Sequence, residues 1–98
     1  MIKNSHIIAT PPGATIKEKL NDEEITQKEL ASRMEMSEKQ VSELINGEID
    51  LTPEIAMKLE SILGVPASYW CSLEIIYRAK LQEIVKERFL NAGIYIID

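Results

Sequence analysis

Between Gln27 and Asn46 the chain reads QKELASRMEMSEKQVSELIN, a stretch dense in polar side chains that can donate or accept hydrogen bonds. Lys39 and Gln40 stand side by side there, with Ser37, Glu38, Ser42, Glu43 and Asn46 around them and Gln27 at the start. A glutamine donates and accepts together, as the edge of an adenine requires of its reader, and a lysine reaches a guanine or a phosphate. The serines are adaptable donors. A glutamate can accept from a cytosine but otherwise repels a polyanion. Bond-breaking chemistry is not foreseen: the chain offers no acid–base pair with a supporting nucleophile, no phosphate loop and no HExxH. His6 has no second His or Cys nearby, so a metal role is not expected. Cys71 reads as a packed small hydrophobe, since no histidine is placed to activate it. A non-enzymatic protein without metal or cofactor is the expectation.

Two short helices joined by a tight turn must position these residues. Thr26 can cap the first, whose buried side would be Leu30, Ala31 and Met34, with Ala31 small enough for a close crossing. Ser37 can cap the second, which would bury Val41, Leu44 and Ile45 at spacings of three and four. Asn46-Gly47 closes it, because glycine takes the left-handed conformation that a helix end often needs. This is the pattern of a helix-turn-helix, with Glu38 to Asn46 as its recognition helix. Helices this short bury too little surface to stand alone, so the flanking chain should be scaffold.

That scaffold also reads as helical. A helix from about Ala14 to Asp22 would bury Ile16 and Leu20, and Asp22-Glu23-Glu24 makes a charged link into the central pair. After a loop at Glu48 to Leu51, Thr52-Pro53-Glu54 supplies cap, first-turn proline and acid for a fourth helix, Pro53 to Leu63. It would bury Ile55, Ala56, Leu59 and Ile62 or Leu63 before ending at Gly64. Pro66 can open a long fifth helix reaching about Asn91, with Tyr69 and Trp70 as core anchors. Leu73, Tyr77, Leu81, Ile84 or Val85, and Phe89 form a stripe along it that four small helices cannot cover, so its outer half calls for a partner. The predicted class is all-α with five helices: an arm at 1–12, stopped by Pro11-Pro12-Gly13, a domain at 13–91, and an apolar, β-prone tail at 92–98. Apolar residues of arm and tail are candidates for partner contact.

With 98 residues there is room for one small domain, and 45% hydrophobic with 28% charged residues is ordinary for a globular chain. No apolar run reaches the length of a membrane span, and the N-terminus lacks the layout of a signal peptide. A single cysteine fits a reducing cytoplasm. The net charge of −5 works against nucleic-acid binding. From Gln27 to Asp50, three basic residues (Lys28, Arg33, Lys39) face six acidic ones (Glu29, Glu35, Glu38, Glu43, Glu48, Asp50). Weak non-specific affinity follows, with reliance on dimerisation or low salt.

The run from Pro12 to about Lys86 resembles the lambda-repressor-like helix-turn-helix proteins of the XRE class, and within them the HigA-type antitoxins. The matching pieces are PGATIKEKL, TQKELASRM and MSEKQVSELINGEIDLTPEIAMKLESILGVPASYW, followed by LEIIYRAKL. The resemblance implies a five-helix lambda-repressor-like fold and a homodimer binding double-stranded operator DNA at a palindrome in its own promoter. It also implies a toxin partner, usually an mRNA-cleaving ribonuclease. Carried over, Gln27 touches a phosphate, Ser37, Glu38, Lys39, Gln40, Ser42 and Glu43 face the major groove, and Asn46 lies near the backbone.

Two departures qualify this. Glu35 stands where the family usually has a glycine with positive φ, and Glu48 and Asp50 fall where basic residues are common. The acidity keeps a rival open: a protein-interaction module with weak or no DNA binding. The same module also resembles the N-terminal part of regulators that carry a zinc-peptidase domain behind it.

Overall fold

Three of the helix starts follow from their caps. In the computed structural model, which describes residues 9–91, Thr26, Ser37 and Thr52 each accept a backbone N–H three residues on, opening α2 (Gln27–Met34), α3 (Glu38–Ile45) and α4 (Pro53–Leu63). Ahead of them lies α1 (Gly13–Glu23), and behind them the long α5 (Ala67–Asn91). Among the described residues every regular element is a helix, as the residue pattern predicts. The predicted arm and tail lie largely outside the described residues, as do His6 and Gly93.

α1, α2, α3 and α4 close around one apolar core. Ile16, Leu30, Met34, Val41, Ala56, Leu59 and Trp70 are fully buried in it, and Leu20, Ala31, Leu44, Ile45, Leu51 and Leu63 nearly so. Burying side chains of this size contributes about 1.5–3 kcal/mol each before the entropy of ordering them is set against it. Leu51, read only as part of a loop, is a core residue that anchors the chain between α3 and α4. The charged link after α1 is shorter than expected. Asp22 and Glu23 belong to the helix, and Glu24 ends it in the left-handed region at φ 54°.

Tyr69 and Trp70 part company. Trp70 is fully buried, and its indole N–H donates to the Val65 carbonyl at 3.1 Å. Tyr69 is half exposed and meets Trp70 edge-on, with ring centroids 6.4 Å apart. Neighbours on a helix diverge by about 100°, so one core cannot take both. Glu60 of α4 accepts the Ala67 N–H at 2.9 Å, which caps the start of α5. Further along, Tyr77 is buried, whereas Ile75, Ile76, Val85 and Leu90 are exposed. The outer length of α5 is thus uncovered by the other described residues.

α2 ends at Glu35, a non-glycine residue at φ 58°, ψ 41°. The left-handed conformation expected at this turn is present, and a side chain there carries strain of about 1–2 kcal/mol. Glu35→Gly relieves it, offset in part by the greater freedom of glycine in the unfolded chain, for a net gain of up to about 1 kcal/mol. Thermal unfolding should show a melting point a few degrees higher. An unchanged or lower one would mean the turn relaxes around glutamate without cost.

Candidate nucleic-acid interface

α3 is held from both ends. At its start, Ser37 Oγ accepts the Gln40 N–H at 3.0 Å while Gln40 Oε1 accepts the Ser37 N–H at 2.9 Å, a reciprocal capping box. α2 begins in the same way: Thr26 Oγ1 accepts from the Glu29 N–H at 3.1 Å, and Glu29 Oε1 accepts from the Thr26 N–H at 3.0 Å. The Thr26 backbone and then its hydroxyl hold the Glu29 carboxyl below its usual range, so it is ionised at neutral pH. At the far end of α3, Asn46 is the cap and Gly47 turns the chain at φ 76°. A Cβ on Gly47 would stand 2.5 Å from the Tyr77 hydroxyl, so the turn has both a conformational and a steric reason for glycine.

Behind that turn, α5 grips the loop 47–51. Arg78 Nη2 donates to the carbonyls of Gly47 at 3.4 Å and Ile49 at 3.2 Å and lies 3.2 Å from Asp50 Oδ1. Its Nε donates to Glu74 Oε2 at 2.9 Å, and the same oxygen accepts the Leu51 N–H at 3.1 Å. The bond to Glu74 is the chief cause that raises the Arg78 pKa further, so the charge is permanent. Arg78 therefore sets a cation against Asp50, one of the acids that count against polyanion binding. On the other side, Lys58 of α4 donates to the Met34 carbonyl at 3.0 Å and finishes α2. Neither support shows as a motif. Glu74 and Arg78 look like an ordinary i,i+4 surface pair until the fold brings the loop to them.

The nominated side chains fall into distinct places. Gln27 is the exposed first residue of α2, and Ser37 is the N-cap of α3. Glu38, Lys39, Gln40 and Asn46 are exposed, and Ser42 and Glu43 are half-buried. Ser37 and Gln40 are bonded to each other. The side chains of Lys39 and Glu43 take no hydrogen bond or ion pair with any described residue. The Thr-x-x-Glu and Ser-x-x-Gln spacings that announce both capping boxes are visible in the chain itself. Among the described residues no group of three or more His, Cys, Asp or Glu is placed to hold a metal. No helix there is long and apolar enough to cross a membrane.

A helix that is capped, backed by core and open along one side can enter a groove about 12 Å wide. Comparison with known proteins agrees with that geometry. A helix-turn-helix family model matches residues 16–70. The HTH-type transcriptional regulator YddM of Escherichia coli K12 is 35% identical over 63 residues, covering 64% of this chain and 67% of its own. Among solved structures, the Pseudomonas aeruginosa antitoxin HigA with the higBA promoter superposes with a TM-score of 0.75 at 17% identity, over 93% of this chain and all of that one. A HigA-family addiction module antidote protein from Coxiella burnetii gives 0.73 at 19% identity, over 91% and 98%. A putative antidote protein of a plasmid maintenance system from Nostoc punctiforme gives 0.72 at 26% identity, over 87% and 94%.

Proposed function

Because this chain belongs to the helix-turn-helix family, we propose that it is a homodimeric, non-enzymatic, sequence-specific transcriptional regulator of the cytoplasm, and the antitoxin of a toxin–antitoxin pair. In this reading residues 13–91 form the DNA-binding domain, with Gln27 on a phosphate and α3 in the major groove. The protein represses its own operon and silences a ribonuclease toxin. The observation that carries the reading is α3 itself, capped at its start, gripped behind its end by Arg78, and open outward at Lys39. A homodimer is supported by the uncovered apolar residues of α5, Ile75, Ile76, Val85 and Leu90, which suit a second copy. The toxin partner is supported by what the similar antidote and antitoxin proteins are.

A footprint on the DNA upstream of the gene tests the regulator. Two protected half-sites should appear with centres about 34 Å apart, one turn of duplex. No protection, with the protein folded and dimeric, overturns the reading. Co-expression with the neighbouring gene tests the antitoxin: growth arrest by that gene alone and its relief by this protein are expected. A second reading, a module that binds only protein, is favoured by the six acids against three bases between Gln27 and Asp50. Lys39→Ala combined with Gln40→Ala separates the two: it abolishes operator binding under the first and leaves partner binding intact under the second.

A further inference from the structure

Gln40 is the residue whose chemistry best suits a base, yet the fold has already engaged it. A bidentate pair with adenine needs the glutamine carbonyl to accept from the base N6 while its amide donates to N7. In the structure that carbonyl accepts the Ser37 N–H at 2.9 Å, satisfying one of the otherwise orphaned donors of α3. Leaving for a base would strip the recognition helix of half its capping box at the moment of docking. The amide hydrogens take no partner among the described residues, but pointed back at the helix start they suit a phosphate, which carries no sequence information.

The helix geometry agrees independently. Val41, Leu44 and Ile45 are buried at 0%, 2% and 4% exposure and define the inward edge. At about 100° per residue, Lys39 and Glu43 lie within about 30° of the opposite direction, Lys39 exposed and Glu43 half-buried, and the exposed Gln40 lies about 90° away from it. Lys39 and Glu43 are one turn apart and unpaired with each other. One is a pure donor and the other a pure acceptor.

We propose that direct readout belongs to Lys39 and Glu43, on a guanine and a cytosine respectively, and that Gln40 is the fixed cap of the helix that presents them. Lys39 donates to guanine O6 and N7, and Glu43 accepts from the cytosine N4 amino group. Four residues of helix rise span about 6 Å against about 3.4 Å per base step, so the two bases lie one or two base pairs apart. This gives the acidic α3 a use. Glu43 repels phosphates generally and is tolerated where a cytosine amino group meets it, so it rejects wrong sequences more than it strengthens the right one.

The assignment rests on the regulator reading, and one experiment distinguishes their failures. The purified protein and its variants select from a duplex pool randomised over two turns, about 20 base pairs, and bound sequences are read out beside each variant's melting point. Wild type should enrich a half-site with a guanine and a nearby cytosine, each preferred about five- to hundred-fold over other bases. Lys39→Ala should lose the guanine preference and Glu43→Ala the cytosine preference. Gln40→Glu keeps a capping-box residue, so it should bind more weakly throughout, melt as wild type does and enrich the same motif. Gln40→Ala should lower the melting point and also keep the motif. An adenine preference that disappears in Gln40→Glu, or a guanine preference that survives Lys39→Ala, overturns the assignment. A folded wild-type protein that enriches nothing overturns the regulator reading and this assignment with it.

Discussion

Gly13→Ala is expected to cost upwards of about 3 kcal/mol and to leave the protein largely unfolded near its normal melting point. Helix propensity argues the other way, since alanine inside a helix is better than glycine by about 1 kcal/mol. The fold decides it. Gly13 is buried at the start of α1 where that helix crosses the end of α3, and a Cβ built on it falls on the Ile45 backbone carbonyl. Overpacking against a side chain costs about 1–3 kcal/mol because the side chain can turn aside. Main chain has no rotamer to change, so α1 must shift bodily off α3. The consequence reaches function, because Ile45 is the last turn of the recognition helix. Thermal unfolding with DNA binding checks it: both should fall together. A melting point equal to or above wild type would mean that the crossing of α1 and α3 is looser than the structure has it.

Trp70→Ala should be equally severe, at about 3–5 kcal/mol. The indole is fully buried among residues of α4 and the loop before α5, so truncation removes its transfer energy and leaves a cavity. It also leaves the Val65 carbonyl without its 3.1 Å donor. Trp70→Phe fills most of the space and loses only the donor, so a smaller loss of about 1–2 kcal/mol separates the two contributions. Since Trp70 fastens the first turns of α5, Trp70→Ala should also free the helix that carries Arg78 and, if the proposed homodimer forms through α5, weaken it more than a core substitution remote from α5. Denaturant unfolding followed at a range of protein concentrations measures both. A loss below about 1 kcal/mol would contradict the burial.

The parts of this fold that local rules govern were legible in the residues. Thr26, Ser37 and Thr52 stand where caps are needed, Gly47 and Gly64 end α3 and α4 in the left-handed region, and Glu35 takes the positive φ its position implies. What escaped depends on contacts far apart in the chain. Pro11-Pro12-Gly13 reads as a breaker, but its glycine is a close-approach site, which is known only once Ile45 is beside it. Leu51 looks like loop and is core. The hold of Arg78 on Gly47 and Ile49 spans about thirty residues and has no local signature.

The candidate interface shows the same division. The residue types point to a recognition surface, and Gln40 suits an adenine edge by type. The structure also bonds Gln40 to Ser37 in a capping box, which the Ser-x-x-Gln spacing announces. A charge sum over Gln27 to Asp50 leaves out what the fold brings beside it. Asp50 is countered by Arg78, which is distant in the sequence and adjacent in space.

A fluorescence-anisotropy titration of the purified protein against duplex DNA from upstream of its gene, with a scrambled duplex beside it, reads DNA recognition itself. Measured at about 50 and 200 mM salt, affinity should fall about tenfold if, with Lys39 on a guanine, Lys28 of two copies supplies the cationic phosphate contacts. A more basic protein with six to ten such contacts would lose about a thousandfold or more. Sub-micromolar binding to the promoter alone is expected at low salt, with that modest salt slope. A folded, dimeric protein that binds neither duplex at low salt, or both equally, would contradict it.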